Sequence, residues 1–246
     1  MIISKQNALI KEIRSLLSKK FRDSLNRYVV EGVKMVNEAF ALGQKVLTVI
    51  STEKCLEMLN VSGIEITLVS DEVYASVSDE KSPQGVLAVI QKPQSLAVEQ
   101  DADCVLLDGV ADPGNVGTII RTMACAGYKH LYVTADCADP FSPKAVRSSM
   151  SGIYHVNVIS VDRERLLESI YKPLVVADMN GENVFETTVK SPLCLVIGNE
   201  ARGISSTVKA IAVKTVKIPM EKGMESLNAG VSAGILMYAL KNTIKE

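Results

Sequence analysis

Apolar residues recur at two different spacings along this chain of 246 residues. Near the N-terminus the spacing is helical, at Leu9, Ile10, Ile13, Leu16 and Leu17. The basic side chains then lie on the opposite face, so we expect an amphipathic basic helix from Asn7. Strand-like and helix-like stretches follow it: YVVEG, VKMVNEAFAL, KVLTVIS, IEITLVS and GVLAVIQ. This order predicts a small α/β domain in the first 98 residues.

A polar segment, KPQSLAVEQDAD, separates this part from a second region of regular alternation. We expect the domain boundary there, between residues 98 and 99. Downstream, the strand-like stretches CVLLD, LYVT, PLVVAD, LCLVIG and VKIP alternate with helix-like ones. Strands that alternate with helices indicate a largely parallel sheet covered on both faces, so the predicted fold class is α/β.

The composition is that of an ordinary globular protein, with 47% hydrophobic and 22% charged residues. The formal net charge of −1 does not point to a nucleic-acid-binding protein, which normally carries a basic surface. The residues up to Arg27 are locally basic, however, with Lys5, Lys11, Arg14, Lys19, Lys20 and Arg22 against only Glu12 and Asp23. From charge alone, this segment fits phosphate contacts and a solvated helix face equally well.

Cysteine, histidine and apolar content narrow the possible classes further. The five cysteines are scattered and several lie in apolar stretches, so we expect free core thiols rather than disulfides or a metal site. The two histidines supply a metal centre poorly, and none is expected. No apolar run approaches the ~20 residues that span a bilayer, and the N-terminus has no signal-type stretch, so a cytoplasmic protein is expected.

Three loops that follow predicted strands carry the polar residues of a candidate site. In an open parallel sheet, ligand sites form at the carboxyl ends of the strands, so these loops can converge. The first, DGVADPGNVGTIIRTMACAG, contains an N-cap, Asp112, and the polar residues Asn115 and Arg121. An isolated helical arginine such as Arg121 is usually a surface ion-pair residue. The spacing PGNVG also differs from the G-x-G-x-x-G fingerprint of dinucleotide-binding proteins.

The other two loops add a carboxylate and further polar groups. The second, GNEARGIS, places Glu200 at the mouth of a buried strand, where a charge is costly unless it is paired or used. Capping of the next helix is the structural alternative. The third, IPMEKGMESLNAGVSAGIL, leads into the last helix. Ser226 could simply be the N-cap of that helix. The small residues of that helix indicate close packing against a sheet, a ligand or a second subunit.

These segments resemble, in order and spacing, the three motifs of the SpoU/TrmH group of RNA ribose 2′-O-methyltransferases, part of the SPOUT superfamily. The stretches SKQNALIKEIRSLL, YVVEG and SPQGVLAV are similar to the L30e-like substrate-binding domain of that group. The resemblance implies an L30e-like RNA-binding domain at residues 1–98 and an α/β methyltransferase domain with a deep trefoil knot at residues 99–246. It also implies a homodimer that pairs through the knotted domain and the use of S-adenosyl-L-methionine.

By position, the resemblance assigns roles to individual residues. The implied catalytic group is Asn115, Arg121, Glu200, Ser226 and Asn228. Within it Asn115 and Arg121 would sit at the target ribose and its phosphate, and Glu200 would hold or orient the group. The implied cofactor contacts are Gly198, Asn199, Ile218, Pro219, Met220 and Leu227. The RNA-binding candidates of the N-terminal domain are Lys5, Asn7, Lys11, Arg14 and Arg22.

Two positions depart from the commonest family residues. Ala201 replaces a frequent glycine and Gly230 a frequent serine, which removes one possible hydrogen bond near the cofactor. Both side chains stay small, so the loop shape should be preserved.

The expected reaction is therefore methyl transfer from S-adenosylmethionine to a ribose 2′-hydroxyl, with ribosomal RNA favoured over transfer RNA because of the L30e-like extension. A tRNA methyltransferase and a noncatalytic RNA-binding protein of the same fold are the alternatives. A nucleotide-dependent oxidoreductase would need the glycine fingerprint that is missing. A guanidinium has a pKa above ~12 and normally stays charged. We therefore expect Arg121 to clamp a phosphate, and the proton to leave to Glu200, water or a phosphate oxygen.

Overall fold

The computed structural model describes residues 1–94, 97–224 and 226–242. Within these ranges the chain forms a sheet of four strands followed by a sheet of six, each flanked by helices. This order of elements confirms the predicted α/β class. No helix in the described ranges is long and apolar enough to cross a membrane.

The first sheet is mixed. Its strands are β1 (Arg27–Glu31), β2 (Val46–Ser51), β3 (Ile66–Leu68) and β4 (Val86–Gln91), in the spatial order β1-β4-β2-β3. Strand β4 pairs antiparallel with β1 and β2, and β3 pairs parallel with β2. The helices of this part are α1 (Ala8–Ser15), α2 (Lys19–Leu25), α3 (Val33–Ala41), α4 (Glu53–Leu56) and α5 (Asp71–Ala75).

Helix α1 confirms the predicted amphipathic helix at the N-terminus. Asn7 is its N-cap, because the side-chain oxygen accepts a hydrogen bond from the backbone N–H of Leu9 at 2.9 Å. The apolar face buries Ile10 and Ile13. The helix ends at Ser15, and Lys19, Lys20 and Arg22 belong to the separate helix α2.

The RNA-binding candidates on α1 and just before it differ in exposure. Lys5 and Lys11 are exposed. Arg14 is half-buried and donates hydrogen bonds to the carbonyl oxygen of Ser76 at 3.0 Å and to its hydroxyl at 2.7 Å. Asn7 and Arg14 thus support the fold, and an RNA contact for Lys5, Asn7, Lys11 and Arg14 stays a prediction.

The assignment of Arg22 to RNA binding is wrong. Its side chain is only 3% exposed and donates to Asp139 Oδ2 from Nε at 2.9 Å and from Nη2 at 2.7 Å. Its Nη1 donates to the carbonyl oxygens of Leu16 and Leu17, both at 2.8 Å. Arg22 is buried because α2 lies against the second half of the chain, so this arginine joins the two halves.

The second sheet is entirely parallel, as predicted. Its strands are β5 (Cys104–Asp108), β6 (His130–Thr134), β7 (Asn157–Val161), β8 (Leu174–Asn183), β9 (Cys194–Gly198) and β10 (Lys214–Lys217). They lie in the order β10-β8-β9-β5-β6-β7, and every neighbouring pair is parallel. The helices are α6 (Pro113–Ala126), α7 (Pro143–Ser149), α8 (Leu166–Ser169), α9 (Ser206–Ala210) and α10 (Ala229–Asn242).

Strand β5 shows why the strands of this sheet are continuous apolar stretches in the sequence. Its side chains alternate between two hydrophobic clusters, with Val105 and Leu107 packed on the α6 and α10 side and Cys104 and Leu106 on the α8 and α9 side. All of its residues are buried because helices cover both faces. Cys104 and Cys194 are buried in this sheet, as expected, but Cys125 on α6 is exposed.

Strand β8 is interrupted by a bulge that the sequence pattern did not predict. Opposite β10, Thr215 pairs with Val176, but the next residue, Val216, pairs with Glu182. Residues 177–181 therefore project from the sheet. Gly181 lies so close to β10 that an added Cβ would be 2.6 Å from the backbone of Val216. The bulge consequently needs glycine at its end, and it places its other residues at the carboxyl edge of the sheet.

Candidate active site

A cavity of about 1020 Å³ opens at the carboxyl ends of β8, β9 and β10. Its wall contains all of the implied cofactor residues, Gly198, Asn199, Ile218, Pro219, Met220 and Leu227. Glu200, Ser226 and Asn228 line it as well. The second and third loops therefore converge as predicted, whereas Asn115 and Arg121 of the first loop lie outside the lining.

The loop after β9 is held in shape by Asn199. Its backbone exchanges two hydrogen bonds with Gly203, at 3.0 and 2.8 Å. Its side-chain oxygen accepts from the backbone N–H groups of Ala201 and Arg202, both at 3.0 Å. Its side-chain nitrogen donates to the carbonyl oxygen of Gly109 at 2.7 Å. Asn199 thus fastens the loop to the end of β5.

A chain of three side chains crosses from the second motif to the third. Glu200 Oε1 accepts from Asn115 Nδ2 at 2.8 Å, and Asn115 Oδ1 accepts from Asn228 Nδ2 at 2.8 Å. Because an ionised carboxylate can only accept, Asn115 must present its nitrogen to Glu200 and its oxygen to Asn228. The orientation of both amides is therefore fixed by Glu200.

Glu200 is held as a carboxylate. Desolvation by neighbouring atoms would raise its pKa, but hydrogen bonds from the Asn115 side chain and from backbone N–H groups outweigh it, so the pKa lies below its ordinary value. The backbone donors include Ala111 at 3.2 Å and Asp112 at 3.4 Å. Glu200 therefore binds the segment before α6 and does not cap the next helix, α9, which begins at Ser206.

Asp112 is the N-cap of α6, as predicted. Its Oδ1 accepts from the backbone N–H of Asn115 at 2.9 Å, and Pro113 occupies the first turn. Its Oδ2 accepts from Lys144 Nζ at 2.7 Å, and this hydrogen bond is the largest cause of the lowered pKa of Asp112. The cap fixes where α6 begins and hence where Asn115 lies.

The last helix is capped by Asn228 and not by Ser226. Asn228 Oδ1 accepts from the backbone N–H groups of Gly230 at 2.9 Å and Val231 at 3.2 Å. The small residues after it pack against α6: a Cβ added to Gly230 would lie 3.0 Å from the side chain of Thr118. A side chain at position 230 would therefore fit only tightly against Thr118.

Arg121 is exposed on α6. We find no hydrogen bond or ion pair to its guanidinium within residues 1–94, 97–224 and 226–242, so the alternative of a surface ion pair has no partner in this part of the chain. Within the described residues, Arg121 therefore presents its positive charge to solvent, outside the cavity.

Sequence reasoning missed the contribution of the β8 bulge to the cavity. Ala177, Asp178, Met179 and Asn180 all line it. Asp178 accepts from Lys209 Nζ at 2.6 Å, and this hydrogen bond is the main cause of its lowered pKa. The composition ADMNG, with turn-forming residues directly after an apolar strand, was the available signal.

The SpoU rRNA Methylase family model matches residues 103–238, more than half of the chain. The chain belongs to the SpoU rRNA methylase family. An MRM3-like substrate binding domain model matches residues 7–88 of this SpoU methylase. The resemblance carried by the three motifs is thereby confirmed. SpoU methylases use S-adenosylmethionine, and the chain is an S-adenosylmethionine-dependent RNA methyltransferase, as that resemblance implied.

Some similar proteins match nearly the whole chain, and others match only part of it. The 23S rRNA (guanosine(2553)-2′-O)-methyltransferase RlmP of Bacillus subtilis is 28% identical and covers 98% of both chains. The crystal structure of an AdoMet-bound rRNA methyltransferase from Sinorhizobium meliloti has a TM-score of 0.87 at 27% identity and covers 100% of this chain and 98% of that one. The TrmH/SpoU tRNA modifying enzyme of A. aeolicus has a TM-score of 0.51 at 29% identity and covers 59% of this chain and 76% of that one.

The cavity fits S-adenosylmethionine in size and in charge. Its volume of about 1020 Å³ is at the upper end of the range of small-molecule sites, ~300–1000 Å³. Ile197, Ile218 and Leu236 supply apolar wall, while the carboxylate of Glu200 lies at the wall nearest Asn115. A carboxylate at this place attracts the positive charge of a sulfonium group.

Proposed function

We propose that this SpoU methylase transfers the methyl group of S-adenosylmethionine to the 2′-hydroxyl of a ribose in ribosomal RNA. The observation that carries the proposal is the hydrogen-bonded chain of Glu200, Asn115 and Asn228 at the cavity wall. It orients two amides next to the place where the cofactor fits. A noncatalytic RNA-binding protein would have no need for this pre-oriented polar chain.

The proposed roles follow from what each side chain can still bind. A carboxamide has two N–H donors and two acceptor lone pairs, and Asn115 uses only one of each in the chain. It can therefore bind the ribose hydroxyl and align it with the sulfonium methyl group, which S-adenosylmethionine supplies when bound. Ser226, at the cavity wall, would complete the reaction pocket.

Arg121 would clamp the phosphate beside the target ribose. Its exposed guanidinium, which has no ion-pair partner among the residues that the structure describes, suits a bidentate contact with phosphate oxygens. Both carboxylate oxygens of Glu200 already accept hydrogen bonds, from the backbone of Ala111 and the side chain of Asn115, so we give Glu200 the task of holding Asn115. The proton of the hydroxyl would leave to solvent water or to a phosphate oxygen as the methyl group is transferred.

We infer that residues 1–98 form an L30e-like RNA-binding domain and residues 99–246 a methyltransferase domain with a trefoil knot. The two family matches, at residues 7–88 and 103–238, support this division.

A homodimer that pairs through the second domain is supported by the outer face of α10. Val231 and Tyr238 are 50% and 49% exposed there, and both are large apolar or aromatic side chains. Burying such side chains between two copies would remove apolar surface from water. In such a dimer the exposed Arg121 of the adjacent helix α6 would lie beside the interface.

Ribosomal RNA is favoured over transfer RNA because of the N-terminal domain. The rRNA methyltransferases RlmP and that of Sinorhizobium meliloti match this chain over 98% and 100% of its length, whereas the tRNA modifying enzyme of A. aeolicus covers 59%. We propose that Lys5 and Lys11, which are exposed, contact RNA phosphates. The cytoplasm is the proposed location, since such RNA is found there in bacteria.

The test is methylation of total RNA from cells that lack the enzyme, with S-adenosylmethionine labelled in the methyl group. We expect label in large ribosomal RNA, at one ribose that becomes resistant to alkaline cleavage on its 3′ side. Label in transfer RNA would identify the alternative substrate. Binding of RNA without any transfer, by protein that binds S-adenosylmethionine, would point to the noncatalytic alternative.

A further inference from the structure

Asp108 ends β5 and opens the first loop, and it does not line the cavity. Its side chain is 1% exposed. Oδ1 accepts from Arg163 Nε at 2.6 Å, and Oδ2 accepts from the backbone N–H of Ser205 at 2.7 Å. Both carboxylate oxygens are therefore used in short, charge-assisted hydrogen bonds.

These bonds fasten the far end of the second-motif loop. The loop begins at Asn199, whose side chain donates to the carbonyl oxygen of Gly109 at 2.7 Å. It ends at Ser205, which Asp108 holds. Both ends of the loop are thus bound to two consecutive residues of the β5 terminus. Glu200 lies between these ends, so any movement of the loop would shift Glu200 relative to Asn115.

Arg163 supports Asp108 from the neighbouring strands. Its Nη2 donates to Asp136 Oδ1 at 2.6 Å and to the Thr134 hydroxyl at 3.3 Å. Desolvation opposes the charge on Arg163, but the hydrogen bonds to Asp108 and Asp136 outweigh it, and its pKa is raised. The bonds run across the carboxyl ends of β9, β5, β6 and β7, which makes the β5 terminus a rigid anchor for the loop.

We propose that Asp108 is a positioning residue for methyl transfer, which acts by clamping residues 199–205 at Ser205 so that Glu200 holds Asn115 beside the bound cofactor. The inference rests on the proposed function. A neutral side chain of the same shape cannot replace Asp108, because the amide nitrogen of asparagine would face either Arg163 or the N–H of Ser205, which are both donors.

The chain offers a matched control at the other end of the same strand. Asp103 is also buried, at 8% exposure, and its Oδ1 accepts from the hydroxyl of Ser191 at 2.8 Å and from the backbone N–H of Leu193 at 2.9 Å. Asp103→Asn therefore removes a comparable charge at the amino edge of the sheet, away from the loop. Its effects report on general destabilisation.

A second variant removes one hydrogen bond and keeps the Asp108 charge. Ser205 has φ −63°, the value that proline requires, and its buried hydroxyl has no hydrogen-bond partner in the described part of the chain. Ser205→Pro therefore removes the N–H donor to Asp108 and puts the ring Cδ where the hydrogen bond was, which pushes Ser205 away from Asp108 while the charges of Asp108 and Arg163 are kept. It provides a test where Asp108→Asn does not fold.

The experiment measures S-adenosylmethionine affinity by calorimetry and amide exchange of residues 199–205 in the full-length protein and the three variants. We expect Asp108→Asn and Ser205→Pro to lower the affinity for S-adenosylmethionine by roughly tenfold or more, which is the factor for a lost hydrogen bond to a charged group. We also expect both variants to speed amide exchange in the loop. Asp103→Asn should stay within about twofold of the wild type in both, at whatever cost in Tm.

Asp108 would be a purely structural residue if Asp108→Asn and Ser205→Pro matched Asp103→Asn in affinity and in loop exchange. Failure of the proposed function gives a different result: the wild-type protein itself would then bind the cofactor without methylating RNA, or not bind it. Amide exchange of the loop tests whether Asp108 clamps it in either case, because that measurement needs neither the cofactor nor RNA.

Discussion

The carboxylate of Glu200 accepts a hydrogen bond from the side-chain nitrogen of Asn115 at 2.8 Å, so a residue of the second motif orients a residue of the first. The two positions are 85 residues apart in the chain. This contact joins the loop that lines the cavity to the helix that carries Arg121. The first motif contributes nothing to the cavity wall, so this contact is what places Asn115 beside it.

Replacement of Glu200 by Gln tests this contact. A neutral amide can offer its oxygen to only some of the donors now bound by the carboxylate, so Asn115 should lose its fixed orientation. We expect the single-turnover rate of methyl transfer to fall by about tenfold or more, since a hydrogen bond to a charged group is worth ~1.5–3 kcal/mol. An unchanged rate with saturating RNA and cofactor would show that Asn115 needs no partner.

The same variant tests how the stability of the protein depends on pH. The folded pKa of Glu200 is lowered, so its contribution to stability is present above the ordinary glutamate pKa of ~4.3 and is lost as the pH falls through the folded value. The wild-type Tm should therefore fall more steeply than that of Glu200→Gln below about pH 4.3. Parallel Tm curves would mean that the carboxylate is not stabilised by its donors.

The buried pair between Arg22 and Asp139 predicts a large loss of stability on breaking it. Arg22→Ala leaves the carboxylate of Asp139, only 8% exposed, without its cation, which typically costs ~3–5 kcal/mol. Urea unfolding should show the loss. The exposed Lys11 is the control, and Lys11→Ala should change stability by less than about 0.5 kcal/mol. Equal effects of the two substitutions would contradict the structural role of Arg22.

What the sequence could predict was governed by local interactions. The Asp112 cap depends on a residue three positions away, and the alternation of apolar stretches reports burial of each strand, so both were predictable. The burial of Arg22 depends on Asp139, 117 residues further along, and the β8 bulge depends on the later strand β10. No periodicity reports contacts of that kind. The site residues were reached only through the resemblance of whole motifs.

The exposed lysines of the N-terminal domain predict salt-dependent RNA binding. Each phosphate contact releases counterions, so Lys5→Glu combined with Lys11→Glu should weaken RNA binding and flatten its salt dependence, while S-adenosylmethionine binding is unchanged. Lys190→Glu is a matched control. Lys190 is also exposed, but it precedes β9 and so lies at the amino edge of the second sheet, opposite the edge that carries the cavity. RNA affinities that respond equally to all these charge reversals would indicate a general electrostatic effect.

Arg121 gives the sharpest test of the proposed active site. Arg121→Ala should abolish methyl transfer while folding and cofactor affinity stay at wild-type levels, because Arg121 is exposed on α6 and lies outside the cavity wall. Calorimetry with S-adenosylmethionine and single-turnover methylation with saturating RNA measure the two properties separately. Arg165→Ala is the control, since Arg165 is an exposed arginine beside α8, on the other face of the sheet from α6.

Arg121→Lys then separates charge from geometry. Lysine keeps the positive charge but loses the planar fork that binds two phosphate oxygens at once. A rate near the wild-type value would show that charge attraction alone suffices, whereas an inactive protein would show that the bidentate geometry is required. If Arg121→Ala itself keeps wild-type turnover, Arg121 is an ordinary surface residue, and the phosphate clamp must be sought elsewhere on the face that carries Asn115.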